Sequence, residues 1–236
     1  MAKTDHDVLV GCPIHPADTI YVEGFIESMK SQDYPHLRII FAETSGDKEF
    51  FKLLERTGEL VLSARPDKDG RMEKIIAGRE KIRQYFLEHD DYYSLWFVDA
   101  DVRPPSDALS KLIKADKDVI SGVCLSHFNV GGKRRVLPCL YRFTDEKGVC
   151  QQLNRQEVSG SGVEEIAVAG FGCVLVKRRV LEKIAIRRFA EGGGEDAAFF
   201  IDSLKAGFKN FVNKGVKCAH LVYEPGDARN REFELL

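Results

Sequence analysis

The sequence places two aspartates, Asp99 and Asp101, directly after a short run of bulky apolar residues, Leu95 to Val98. A run of this length that combines aromatic and β-branched residues predicts a buried strand. Two carboxylates at the end of a buried strand are costly unless a positive charge neutralises them. Because carboxylate oxygens suit Mg²⁺ and Mn²⁺, the pair predicts a site for one of these divalent cations.

The elements that must position these carboxylates alternate between strand and helix in the first half of the chain. Strands are predicted at 7–12, 37–42, 60–62 and 95–98, with helices at about 18–32, 48–56 and 72–89. This alternation predicts a mainly parallel sheet with helices on both faces. Ligands bind at the carboxyl ends of such strands, so the turns at 13–15, 43–47 and 99–101 should converge. In this prediction Asp18 caps the first helix.

The second half of the chain predicts a more irregular and more antiparallel arrangement. Strands are expected at 118–124, 137–143, 165–168, 174–176, 208–212 and 216–220, with helices near 107–115, 180–184 and 197–206. A flexible, basic hairpin tip is predicted at 131–135, and a glycine-rich turn is predicted at 191–194. Residues 145–162 predict a mobile polar excursion, and the residues from Gly226 onward a loose tail.

Composition and charge exclude several classes of protein. The chain has 35 basic and 37 acidic residues, without the basic excess that is typical of nucleic-acid binders. No apolar run approaches the ~18 residues of a membrane span, and the polar N-terminus lacks a signal-peptide hydrophobic region. The six scattered cysteines form no C-x-x-C pair and indicate buried thiols in a reducing compartment. We therefore expect a cytoplasmic protein without a membrane span.

Three signals follow one another in a fixed order along the chain. They are Trp96 to Val102 with its D-x-D, Gly194-Glu195-Asp196 before a helix, and Val216 to Leu221 around His220. Together they resemble the GT-A class of nucleotide-sugar glycosyltransferases, and within it the family-2-like group. Two further segments extend the resemblance, which as a whole spans about residues 7–223. Ile75 to Glu80 is similar to the A-x-x-R-N segment, with Glu80 in place of Asn, and Glu43 to Asp47 is similar to the D-x-S-x-D turn.

The resemblance implies a metal-dependent enzyme that moves a sugar from a UDP- or GDP-sugar to an acceptor hydroxyl. The acceptor stays open among glycans, lipid-linked molecules and small molecules. The implied fold is GT-A-like, or Rossmann-like, with a mixed, mainly parallel sheet and helices on both faces in a single domain. A nucleotide-binding half would cover about 7–124, an irregular acceptor-side half about 125–223, and a tail 224–236.

The resemblance also implies roles for individual residues. The metal ligands would be Asp101, His220 and Asp99, although Asp99 would more readily face the ribose. Pro13, His15, Glu43 and Asp47 would line the nucleoside pocket, and Arg79 would face the base or the phosphates. Asp196 would be the general base, and Glu195 would hold an acceptor hydroxyl or a neighbouring backbone group. An Asp196 base favours inversion of configuration, but similar folds that retain configuration leave this open.

Alternatives remain at this point. A sugar-1-phosphate nucleotidyltransferase would carry a glycine-rich basic loop after strand one, where this chain has Gly11 to Pro16. A non-catalytic nucleotide- or carbohydrate-binding module is the third hypothesis. Glu195 and Asp196 could simply be acids favoured at a helix start, and His220 could be a structural histidine.

Overall fold

The computed structural model describes residues 7–144, 149–190 and 194–235. The helices are α1 Val22–Lys30, α2 Lys48–Glu55, α3 Arg71–Glu88, α4 Ala108–Lys114, α5 Arg178–Leu181 and α6 Glu195–Lys205. The strands are β1 Asp7–Ile14, β2 Leu37–Glu43, β3 Leu60–Ser63, β4 Tyr92–Val98, β5 Val102–Arg103, β6 Val119–Val123, β7 Leu125–Val130, β8 Lys133–Pro138, β9 Leu140–Phe143, β10 Cys150–Gln152, β11 Val163–Ile166, β12 Val168–Ala169, β13 Cys173–Lys177, β14 Asn210–Lys217 and β15 Ala219–His220. Two 3-10 helices cover Pro16–Tyr21 and Ala228–Phe233.

The main sheet has eight strands in the order β11-β14-β6-β13-β4-β1-β2-β3. The strands β4, β1, β2 and β3 are parallel, and β14 is parallel to β6. Strand β13 runs antiparallel between β4 and β6, and β11 runs antiparallel to β14. The predicted mixed, mainly parallel fold is therefore confirmed. The chain order reverses between β1 and β4, which is where a cleft opens in sheets of this kind.

The core lies on both faces of this sheet because β1 and β4 are buried on both sides. Leu95 and Phe97 point into one apolar cluster, and Trp96 and Val98 point into the other. The first cluster packs against α3, α5 and α6, and the second against α1, α2 and α4. This arrangement explains why β4 is a continuous apolar run instead of an alternating one. Within the described residues, no helix combines the length and apolarity that crossing a bilayer requires.

Three local predictions need correction. His15, not Asp18, caps the 3-10 helix that precedes α1, and Asp18 completes the capping box by accepting from the His15 backbone N–H at 2.9 Å. Strand β14 is one continuous element where two strands were expected. Residues 145–148 and 191–193 lie outside the described residues. The rest of the expected polar excursion is packed, because Leu153 and Val158 are fully buried and β10 pairs with β9.

The hairpin tip that was predicted at 131–135 is confirmed, and the loose C-terminal tail that was predicted is wrong. The basic tip at 131–135 lies on the β7–β8 hairpin, where Gly131 and Gly132 adopt φ values of 58° and 75°. Positive φ at both turn positions is the reason for the glycine pair. The residues after Gly226 do not form a loose tail, because Phe233 is 0% exposed and lies at the end of a 3-10 helix.

Gly78 sets how closely α3 approaches the ends of β1 and β2. A Cβ at this position would lie 2.8 Å from Pro13 Cβ and 3.0 Å from Thr44 Cγ2. Overpacking of this kind costs about 1–3 kcal/mol, whereas alanine gains about 1 kcal/mol over glycine in a helix. We expect Gly78→Ala to lower the free energy of unfolding in urea by up to about 2 kcal/mol.

Gly160→Ala is the matched control, because a Cβ there meets no atom within 4 Å. A Gly78→Ala protein as stable as this control would show that the helix has room to move away from the sheet.

Candidate active site

The turns after β1 and β4 meet at a cleft of about 550 Å³. Its lining comprises Pro13, Ile14, His15, Ala17, Asp18, Thr44, Asp69, Gly70, Arg71, Lys74, Ile75, Arg79, Asp99, Ala100 and Asp101. Three expected turns therefore do converge, as the parallel topology predicts. The second turn reaches the cleft through Thr44, however, and neither Glu43 nor Asp47 is among the lining residues.

The turn that carries both aspartates is fixed by its own backbone and by Arg103. The Val102 N–H donates to the Asp99 carbonyl at 3.0 Å, and the Asp99 N–H donates to the Gly172 carbonyl at 3.3 Å. The Arg103 guanidinium donates to the Ala100 carbonyl at 2.7 Å and to the Tyr21 carbonyl at 2.9 Å. Burial lowers the pKa of Arg103, but an arginine remains charged at neutral pH. Arg103 thus ties the aspartate turn to the segment that leads into α1.

Strand β15 brings His220 to Asp101. This two-residue strand pairs antiparallel with β5, and the Leu221 N–H donates to the Asp101 carbonyl at 2.8 Å. His220 Nδ1 lies 2.7 Å from the Leu125 carbonyl oxygen, and Nε2 lies 3.2 Å from Asp101 Oδ2. Burial opposes the charged imidazole, but the hydrogen bond and the charge of Asp101 outweigh it and raise the pKa of His220.

These two side chains fit a divalent cation. Because a carbonyl only accepts, Nδ1 carries a proton toward Leu125, and in the charged ring Nε2 carries a second proton toward Asp101; loss of that second proton would give a lone pair that a cation can take in its place. Adjacent octahedral ligands at about 2.1 Å from Mg²⁺ are roughly 3 Å apart, close to the observed separation. In the ranges 7–144, 149–190 and 194–235, no three His, Cys, Asp or Glu side chains are grouped to hold a metal ion. A cation here would need further ligands from water or substrate oxygens, which is usual for Mg²⁺.

Arg79 joins Asp99 to Glu195 below the cleft. Its side chain is 4% exposed, donates from Nη2 to Asp99 Oδ1 at 2.6 Å, and also donates from Nη1 to Glu195 Oε1. The guanidinium carbon lies 4.8 Å above the ring of Phe171. Burial alone would lower the pKa of Arg79, but the two carboxylates outweigh it and raise that pKa. Asp99 and Glu195 are therefore held as an ion-pair network, and Asp99 is less available to a cation than Asp101.

Asp196 follows Glu195 at the start of α6 and differs from it in its contacts. Its Oδ1 accepts from the Ala197 N–H at 2.7 Å. Its Oδ2 lies beside Gly170, where an added Cβ would come within 4.0 Å of it and within 3.0 Å of Cys139 Cβ. Burial raises the pKa of Asp196. One oxygen is thus anchored by the helix and the other lies beside Gly170, and Asp196 is not among the residues that line the cleft.

Glu43 and Asp47 shape the second turn. The Glu43 carboxylate is 1% exposed and accepts from the backbone N–H groups of Ser45 at 2.6 Å and Gly46 at 2.9 Å, and from the Ser45 hydroxyl. Asp47 caps α2 by accepting from the N–H groups of Glu49 and Phe50. Both carboxylates are thus occupied by their own loop.

The cleft also contains polar residues that the sequence did not indicate. Arg71 and Lys74 line it from the first turn of α3, and Lys74 is paired with Asp69 at 2.8 Å. Asp18 lines it as well, and burial raises the pKa of Asp18. The i, i+3 spacing of the two basic residues was visible in the sequence, but only the packing of α3 shows that this face looks into the cleft.

Comparison with known proteins shows similarity in fold but little in sequence. A scan against protein-family models gives no match, and neither does a comparison with curated proteins. Among solved structures, A197 from STIV has a TM-score of 0.54 and 21% identity, over 92% of this chain and 87% of that one. The mannosyltransferase PcManGT from Pyrobaculum calidifontis, in complex with GDP-Man and Mn²⁺, has a TM-score of 0.59 and 17% identity over 93% of this chain. S. aureus TarS 1-349 in complex with UDP has a TM-score of 0.53 and 14% identity over 88%.

The chain spans 58% of the PcManGT chain and 57% of the TarS chain, so both are considerably longer. Similar structures thus include a mannosyltransferase with a bound nucleotide sugar and Mn²⁺, and a protein that was crystallised with UDP and with UDP-GlcNAc. These likenesses establish the fold of this chain.

The buried network around Arg79 predicts a large loss of stability when its charge is removed. In Arg79→Met, the buried carboxylate of Glu195 and the partly exposed carboxylate of Asp99 lose the cation that pairs with them among the described residues, and leaving a buried charge unpaired typically costs about 3–5 kcal/mol. Urea unfolding at neutral pH measures this loss. Arg188→Met is the matched control: it breaks an exposed pair with Glu73 and is expected to cost less than about 1 kcal/mol. Equal losses in the two variants would contradict a special role for the buried network.

Proposed function

We propose that this protein is a metal-dependent glycosyltransferase that moves a sugar from a nucleoside-diphosphate sugar to an acceptor hydroxyl. The observation that carries the proposal is the pairing of Asp101 Oδ2 with His220 Nε2, 3.2 Å apart, beside a cleft at the switch point of the sheet. A carboxylate and a neutral imidazole beside a nucleotide-sized cleft suit a cation that is shared with a diphosphate.

Asp101 and His220 would hold Mn²⁺ or Mg²⁺, and Asp99 is a less available ligand because Arg79 engages one of its oxygens. The bound cation would neutralise the charge that develops on the leaving diphosphate. Asp99 Oδ2 would then be free to accept from a ribose hydroxyl. Glu195 would act through Arg79, by keeping the guanidinium in place, and not by contacting the acceptor.

The nucleoside diphosphate would lie along the cleft wall formed by β1 and α3. Pro13 and His15 would contact the nucleoside, while Glu43 and Asp47 would support that pocket by shaping the neighbouring turn. Two further contacts would come from the first turn of α3. Arg71 and Lys74 are cations that line the cleft, and the free backbone N–H groups at the start of this helix favour anions in the same place.

Asp196 would be the general base. Its Oδ2 would accept the proton of the acceptor hydroxyl as the oxygen attacks the anomeric carbon and the bond to the diphosphate breaks. Attack from the side opposite the diphosphate gives inversion. A pKa raised by burial suits this role, because it makes the carboxylate a stronger base than an exposed aspartate.

The similar structures support a nucleotide-sugar donor. One is a mannosyltransferase in complex with GDP-Man and Mn²⁺, and another, TarS, was crystallised with UDP-GlcNAc. We therefore extend to this chain a UDP- or GDP-sugar as donor. Residues 7–124 would carry most of the donor site, and residues 125–223 would supply His220, Asp196 and the acceptor side.

Cation-dependent nucleotide binding is the first test. Ligand at a hundred times its dissociation constant adds about 2.7 kcal/mol of stability, which in a chain of this size raises Tm by roughly 5–10 °C. We expect GDP or UDP to raise Tm in a thermal-shift assay only when Mn²⁺ or Mg²⁺ is present. Asp101→Ala should lose this dependence, whereas Asp90→Ala, which removes an exposed surface carboxylate, should keep it.

Stabilisation by neither nucleotide, with a folded protein, would contradict the proposal. Release of pyrophosphate from a nucleoside triphosphate and a sugar 1-phosphate would instead support a nucleotidyltransferase.

The pH dependence of transfer tests the base. Because the base must be unprotonated, the rate of transfer should fall as pH decreases through the pKa of Asp196. This fall should lie at higher pH than for an ordinary aspartate, since burial raises that pKa. Asp196→Asn should slow transfer by about 10²–10⁴-fold and leave nucleotide binding intact.

Asp202→Asn is the control on the same helix, because Asp202 pairs with Arg187 at the surface. Loss of nucleotide binding in Asp196→Asn would show that Asp196 belongs to the donor site and is not the base.

A further inference from the structure

The C-terminal segment, residues 226–235, is tied to the acceptor-side half of the protein. Arg155 donates to the backbone carbonyls of Glu232 at 2.8 Å and Glu234 at 3.0 Å. The Asn230 amide donates to the carbonyls of Tyr223 and Glu224 and accepts from the Tyr223 N–H. These bonds hold a short 3-10 helix in a defined position against the chain that follows β15.

This position brings Phe233 against two histidines. The ring of Phe233 is 0% exposed and stands edge-on to His127, with the ring centroids 4.7 Å apart. It also stands edge-on to His220, at 6.2 Å between centroids. His127 belongs to β7, the strand whose first residue, Leu125, accepts the hydrogen bond from His220 Nδ1. Phe233 therefore packs across the strand that orients His220.

His220 needs this support because its own strand is too short to fix the ring. Strand β15 contains only Ala219 and His220 and pairs only with the two residues of β5. Backbone pairing over two residues positions the Cα atom but leaves the ring free to turn about its side-chain bonds. The hydrogen bond of Nδ1 to Leu125 and the contact of Nε2 with Asp101 oppose such a turn at the two nitrogens, and Phe233 opposes it by packing against the ring.

We propose that Phe233, held in place by Arg155, is a positioning residue that keeps Nε2 of His220 directed at Asp101 and at the cation site. The part that concerns the cation rests on the proposed function. The part that concerns the ring does not, because it follows from contacts within the chain. The C-terminal segment would thus be a component of the metal site although it supplies no ligand to it.

Two variants separate positioning from simple packing. Phe233→Leu keeps an apolar side chain but loses the flat ring, and Phe86→Leu is its control at another phenylalanine that is 0% exposed. Arg155→Met releases the segment by changing an exposed side chain, so the fold should tolerate it. Arg179→Met is its control, because Arg179 is an exposed arginine bonded to Asp118, next to the start of β6.

Two measurements are needed on each variant. Histidine nitrogen NMR of the metal-free protein reports the hydrogen bonds that the two ring nitrogens of His220 make to Leu125 and Asp101, with the signals assigned by their loss in His220→Asn. Electron paramagnetic resonance of free Mn²⁺, in the presence of UDP and then of GDP, reports metal affinity. We expect Phe233→Leu and Arg155→Met to move both nitrogen signals toward those of a ring without these hydrogen bonds and to weaken Mn²⁺ binding about tenfold. Both controls should match the unmodified protein.

The outcomes are distinguishable. If Phe233→Leu lowers Tm but leaves the His220 signals and Mn²⁺ affinity unchanged, Phe233 is only a packing residue and the inference is wrong. If the unmodified protein binds no Mn²⁺ with either nucleotide, the proposed function fails. The His220 signals in Phe233→Leu and Arg155→Met then still decide whether the segment orients the ring.

Discussion

The arrangement of the site depends on one buried cation. Arg79, on α3, is 4% exposed and bonded to Asp99 at the end of β4 and to Glu195 at the start of α6. The Glu195 side chain is 8% exposed, and burying a carboxylate without a partner costs several kcal/mol, so the start of α6 depends on the guanidinium for its observed position. The network therefore fixes the distance between the aspartate turn and the helix that carries Asp196. Phe171 closes it from below, with its ring 4.8 Å from the guanidinium carbon.

This network makes the two aspartates of the D-x-D unequal. Asp99 is committed to Arg79 through one oxygen, whereas Asp101 faces His220 and the cleft. The negative charge of Asp99 is compensated within the protein by Arg79, whereas the carboxylate of Asp101 is paired with the imidazole of His220.

The sequence predicted those features that depend on local pattern. The apolar run of β4, the turns after β1 and β4, and the mainly parallel sheet that brings these turns together were predicted from the apolar pattern and from strand–helix alternation. Features that depend on distant partners were not predictable in this way. The sequence does not reveal that the Glu43 carboxylate accepts hydrogen bonds from Ser45 and Gly46. Nor does it reveal that Phe233, which lies in a polar segment, is buried. The position of Glu43 depends on the conformation of its own turn, and the burial of Phe233 depends on β7, which is distant in sequence and is brought near only by folding. The roles of Asp101, His220 and Asp196 remain predictions of chemistry that the geometry supports.

The position of β13 has a consequence for how the protein can be made. This strand, Cys173–Lys177, lies between β4 and β6 and pairs with both, so these two strands of the first half never pair with each other. While the ribosome has released only the first 124 residues, two apolar strands have unpaired edges facing an open slot in the sheet. Such edges invite pairing with other chains. Residues 7–124 expressed alone would lack the strand that joins β4 to β6, so we do not expect them to fold stably.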